Sequence, residues 1–88
     1  GNAALDAGFF PSRWERATPG EKRYLQAMAA HSAKQVPTKD IADSLDVSVN
    51  SLSSNRKHLI EKGLIFAPDH GVVQFTVPGM ADYIKRLS

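Results

Sequence analysis

Asn50, Ser51, Ser54, Lys57 and His58 recur at intervals of three and four residues, so a helix would carry them along one face. Their chemistry is recognition rather than bond making. An asparagine amide can donate and accept at two edge atoms of adenine, a serine hydroxyl can do either, and a lysine ammonium reaches a base edge or a phosphate. The same residue types also make an ordinary solvated helix face, and the residues alone leave both readings open. Little else in the chain suggests reactivity. There is no cysteine, which removes a disulfide framework, a thiol nucleophile and the usual zinc sites. The three histidines, His31, His58 and His70, lack metal-ligand spacing; His31 near the end of the first helix reads as structural, and His58 has no carboxylate or nucleophile at a supportive interval. Asp40 and Asp43 share a face of a short helix and read as solvated surface. No G-x-x-x-x-G-K-[ST] phosphate loop occurs. No catalytic residue and no metal ligand are therefore assigned, and the chain is not expected to be an enzyme.

The chain has 88 residues, 42% of them hydrophobic. One domain follows, since a chain of this length buries only roughly 60% of the surface its unfolded form exposes. Eleven Lys and Arg against nine Asp and Glu leave a net charge of +2, too little to argue for nucleic acid by itself. No apolar run approaches a membrane span and no signal-peptide pattern opens the chain, so a cytoplasmic location and no membrane partner are expected. Gly1-Asn2-Ala3 reads as a tag remnant ahead of an internal segment. The expected organisation is residues 1–3 as remnant, 4–17 as an N-terminal aromatic arm and 18–88 as the folded domain.

The elements that must carry the polar stripe follow from caps and periods. Thr18-Pro19-Gly20-Glu21 is a capping box with proline at the first helical position. It opens a helix over about 18–33 with Leu25, Met28, Ala29 and Ser32 on one stripe, flanked by Tyr24. Val36-Pro37 is an extended bridge. Thr38 is expected to cap a short helix carrying Ile41, Ala42 and Leu45, ending near Asp46, and Val47 is expected to be buried in a tight connector. Ser48 then caps a third helix, 48–63, whose inward residues are Val49, Leu52, Leu59 and Ile60, with Gly63 as its left-handed stop. Leu64–Ala67 and Val72–Val77 are β-rich runs around Pro68-Asp69-His70-Gly71, a hairpin with glycine at the turn. Met80, Tyr83, Ile84 and Leu87 predict a closing amphipathic helix. The expected class is mainly α with a small β hairpin, in the winged helix-turn-helix order: a three-helix body, a two-stranded wing and a C-terminal helix.

The run Val47 to Leu64, with its Val-Ser start, central Leu and Lys-Gly-Leu-Ile exit, resembles the recognition helices of winged-helix transcription regulators, and Thr38–Leu45 looks like their supporting helix. With the flanks Phe9–Pro19 and Phe75–Ile84 included, residues 9 to 87 resemble the C-terminal winged helix of bacterial AAA-type ATP-binding proteins, which are similar to archaeal-type origin-recognition ATPases. That resemblance implies a parent ATPase module using ATP and magnesium, with no cofactor in these residues. It also implies a double-stranded DNA partner for the third helix, with Asn50, Ser51, Ser54, Lys57 and His58 toward base edges in the major groove. Ser48, Arg56 and Lys62 would meet phosphates, Arg56 lying toward the body for a backbone contact or a local ion pair. The expected wing tip, Asp69-His70-Gly71, holds no Lys or Arg, and His70 reads as a turn residue. The alternative is a winged helix that docks on its own ATPase module or on a partner subunit. Phe9, Phe10 and Trp14 would then form the docking patch, unless they pack into the core.

Overall fold

The computed structural model describes residues 10–31 and 34–87 of the chain. Residues 1–9, and with them the expected remnant, Phe9 and the start of the arm, lie outside the described residues, as does Ser32.

The capping box at Thr18 forms as its residue types require. The Thr18 hydroxyl accepts from the Glu21 amide and Glu21 Oε1 accepts from the Thr18 amide, each at 3.2 Å. A first helix, α1, covers residues 10–15, and α2 runs Pro19–Ala30, burying Tyr24, Leu25, Met28 and Ala29. α2 is shorter than its periodicity suggests, because His31 takes an extended conformation and its ring bonds Asp40 Oδ2 at 2.8 Å.

Val36–Pro37 is more than a bridge. It is β1, paired antiparallel with β3 (Val72–Phe75) through Val36↔Val73 and Pro37↔Val72, so the expected two-stranded hairpin is a three-stranded sheet in the order β1-β3-β2. Proline lacks an N–H and suits an edge position, while Val36 is buried on the inner face. β2 (Ile65–Asp69) pairs with β3 irregularly between Phe66 and Asp69, around Pro68. Gly71, with φ of 71°, makes the turn. The result is a mainly helical chain with a small antiparallel sheet.

α3 spans Thr38–Leu45, and Thr38 does not cap it. Its amide and hydroxyl both donate to the Gly71 carbonyl, at 2.8 and 3.3 Å, because the hairpin tip lies beside the helix start and supplies the acceptor. Asp46 ends α3 in the left-handed region at φ 57°, which short polar side chains tolerate. A 3-10 turn, Asn50–Leu52, leads into α4, Ser53–Glu61, and Gly63 stops it at φ 77° with its amide on the Ile60 carbonyl. A Cβ at Gly63 would meet nothing within 4 Å, so Gly63→Ala isolates the backbone term. It is expected to lower stability by about 1–2 kcal/mol in urea denaturation.

α5, Met80–Leu87, packs across α2, with Met80 and Ile84 buried between them. Phe10 is buried as well, its ring stacked on Tyr83 at 5.4 Å, and Lys22 Nζ lies 5.5 Å from the half-buried Trp14 ring. These two aromatics of the arm therefore follow the core-packing reading rather than forming an exposed docking patch, since α5 supplies the surface that Phe10 needs. No helix among the described residues is long and apolar enough to cross a membrane.

Candidate functional site

α2 carries both α3 and α4, and the left-handed turn at Asp46 with the 3-10 lead sets α4 at the surface. Only Leu52 and Leu59 of its expected inward set are buried, with Ile60 partly so. Val47 is 43% and Val49 45% exposed, contrary to their expected burial. Val49 lies a turn before the helix proper and lines the rim of a pocket with Leu52 rather than the core, while Val47 stands on the connector.

Asn50, Ser51, Ser54, Lys57 and His58 are all exposed, Asn50 and Ser51 on the 3-10 turn and the other three on α4. A local net of hydroxyls shapes its start. Ser48 Oγ accepts from the Ser51 amide at 3.3 Å, Ser51 Oγ donates to the Ser48 carbonyl at 2.6 Å, and Ser53 Oγ donates to the Asn50 carbonyl at 2.8 Å. Ser48 thus holds one amide of the 3-10 lead but does not cap α4, which starts only at Ser53 after Leu52 with no side-chain cap, so the helix expected over 48–63 is shorter. The Ser51 hydroxyl, its proton already engaged, is left as an acceptor. Among the described residues, the side chains of Asn50, Ser54 and Lys57 have no hydrogen-bond or ion-pair partner, so their donors and acceptors face solvent.

Lys62 behaves differently from expectation. Its ammonium lies 2.5 Å from Glu21 Oε1 and donates to the Arg16 carbonyl at 2.9 Å, which engages it inside the fold rather than at a phosphate. Glu21 is only 2% exposed, and His58 Nδ1 stands 3.6 Å from its second oxygen. A carboxylate therefore does face His58, from α2 rather than from its own helix. Burial pushes the Glu21 carboxyl up, but the Lys62 hydrogen bond, the Thr18 amide and the charges of Lys62 and His58 outweigh it and hold the group below its usual value. The cluster joins the first turn of α2 to the last turns of α4, and so fixes the angle at which the stripe is presented.

Beside the stripe, Tyr24, Thr38, Val49, Leu52, Arg56 and Gly71 are among the residues around a pocket of about 240 Å³. Tyr24 is one of these lining residues, and its hydroxyl is buried with no partner among the described residues, a situation that costs about 1–3 kcal/mol. Burial pushes its pKa up to about 12, against the opposing charge of Arg56. Arg56 is half-buried, and no carboxylate among the described residues is within ion-pair distance of it, so of its two expected roles, a backbone contact or a local ion pair, the ion pair does not form. Across the pocket, the hairpin tip is tied to α3 through Gly71, and Asp69 Oδ1 accepts from the His70 amide at 2.7 Å. Asp69 and His70 are exposed and bring no fixed positive charge.

The spacing in the sequence points to the exposed polar residues of α4 and its lead but carries no sign of the Glu21 cluster or the Tyr24 pocket. Glu21 and Lys62 are 41 positions apart, and no local pattern links them. No group of three or more metal-ligating side chains occurs among the described residues.

No curated protein and no solved structure matches the chain. A family model described as Domain of unknown function (DUF8462) matches residues 7–84, nearly the whole chain. The chain with this exposed α4 stripe, buried Glu21 cluster and Tyr24 pocket belongs to the DUF8462 family.

Proposed function

We propose that the chain is a winged-helix DNA-binding module in which α4 and its 3-10 lead enter the major groove and the β2–β3 hairpin is the wing. The observation that carries this reading is the α4 face itself: Asn50, Ser54 and Lys57 exposed and unpartnered among the described residues, beside the exposed methyl groups of Val47 and Val49. Unpartnered amide, hydroxyl and ammonium groups on α4 and its 3-10 lead suit base edges, and exposed valines suit the thymine methyl group. Ser48 and Arg56 flank the stripe where backbone phosphates would run. β1 adds a third strand without altering the order of helices and hairpin. On this reading the module works beside an AAA-type ATPase unit that uses ATP and magnesium, as the sequence resemblance implies.

The charge on this face sets a quantitative expectation. Arg56 and Lys57 are the cations available, Lys62 being held by Glu21. Two phosphate contacts give a plot of log affinity against log salt with a slope of about −2. Fluorescence anisotropy with a labelled duplex should return that shallow slope. A slope steeper than about −4, or no binding at low salt, counts against this face.

The second reading, docking on a protein partner, is favoured by the hairpin: its tip carries Asp69 and no Lys or Arg, and Phe66 on β2 is 39% exposed. It predicts an interface on the sheet rather than on α4.

A further inference from the structure

The pocket beside α4 has the composition of an anion site. Arg56 lines it with a guanidinium that has no counter-ion among the described residues, and Tyr24 lines it with a buried hydroxyl that has no acceptor there. Both residues line this one pocket, and the charge of Arg56 acts on the Tyr24 phenol. The amides of the 3-10 lead into α4 are already engaged: Ser51 on the Ser48 carbonyl, Leu52 on the Val49 carbonyl and Ser53 on the Asn50 carbonyl. A ligand would therefore be held by side chains, and the ligand that fits is one that only accepts hydrogen bonds. Guanidinium and phenol together donate in the way a tetrahedral oxyanion accepts, and about 240 Å³ admits a phosphate group with water to spare. A buried hydroxyl without a partner is rare enough to ask for one.

We propose that this pocket is a phosphate site, in which Arg56 supplies the charge and Tyr24 the buried hydrogen-bond donor. Two sources offer that chemistry, a phosphate of the DNA backbone running past α4 or a free phosphate compound. The first rests on the DNA reading above and the second does not.

The test uses the whole chain and two probes, inorganic phosphate and a short DNA duplex, followed by the NMR signals of the Arg56 Nε–H and the Tyr24 ring. Phosphate should shift both signals along a saturable curve that chloride at equal ionic strength does not reproduce. Tyr24→Phe, which keeps the ring in the core, should weaken phosphate binding about tenfold with the melting temperature retained. Arg56→Gln should remove it. If the source is DNA, Tyr24→Phe should weaken the duplex by a similar factor while the shifts of residues 50–58 persist. Phosphate binding at the pocket with no duplex binding supports the pocket, assigns a free phosphate compound and overturns the DNA reading. Duplex binding through α4 at unchanged affinity in Tyr24→Phe, with no phosphate-specific shift, overturns the pocket and leaves the DNA reading standing. Phosphate shifts that match those of chloride, or that persist undiminished in both variants, overturn it as well.

Discussion

Glu21→Gln is expected to destabilise the fold by about 2–3 kcal/mol at neutral pH, a sizeable share of the roughly 5–15 kcal/mol that holds a domain together. The carboxylate does three things at once. It completes the capping box at Thr18, meets the Lys62 ammonium, and faces His58, all while 2% exposed. Glutamine keeps the shape and one acceptor oxygen but leaves Lys62 without its counter-charge. Breaking a buried pair from one side costs about 3–5 kcal/mol where both partners are enclosed, and the partial exposure of Lys62 places this case toward and below the low end. The sign of the pH dependence follows from the lowered carboxyl. Its contribution is present above the usual value of 4.5 and disappears as pH falls through the lower folded value. Urea denaturation from pH 7 to pH 3 should therefore show the gap between wild type and Glu21→Gln closing below about pH 4.5. A gap that stays constant over that range contradicts the assignment.

Lys57→Glu is expected to lower duplex affinity by about 10- to 100-fold while leaving stability within about 0.5 kcal/mol of wild type. Lys57 is exposed and has no partner among the described residues, so the fold does not depend on its charge. Reversal removes an attraction to phosphate or a base edge and introduces a repulsion at the centre of the stripe. Anisotropy at low salt measures the first effect and thermal denaturation the second. An unchanged affinity would remove Lys57 from the interface. A parallel loss of stability would mean that the substitution acts through folding.

Local chemistry made parts of this molecule legible from its residues. The capping box at Thr18, the left-handed stop at Gly63 and the glycine of the hairpin turn are each determined within a few positions, and each forms where its residues place it. The α4 stripe was legible for the same reason, since spacing alone decides which side chains share a helix face. Contacts between distant segments were not legible. Val36–Pro37 reads as a bridge until β3, more than thirty positions later, offers it an edge. Thr38 has the type and position of a cap, yet its hydroxyl turns to the Gly71 carbonyl because the tertiary fold puts that acceptor nearer. Lys62 looks like a free cation beside a reading helix, and only the packing of α2 against α4 shows that Glu21 holds it. Val47 and Val49 follow the hydrophobic pattern but lie where no element covers them. The candidate site is thus the stripe that the spacing predicts, less one cation and with two exposed valines added.

The central claim is that the exposed face of α4 contacts DNA, and its most direct measurement is a titration of the isotope-labelled chain with a short duplex at low salt, followed by amide chemical shifts. The DNA reading predicts shifts concentrated in residues 47–58, largest around Asn50, Ser54 and Lys57, with α5 and β2 little changed. Shifts confined to α1, Phe66 or α5, or no shifts at any duplex concentration, would contradict it.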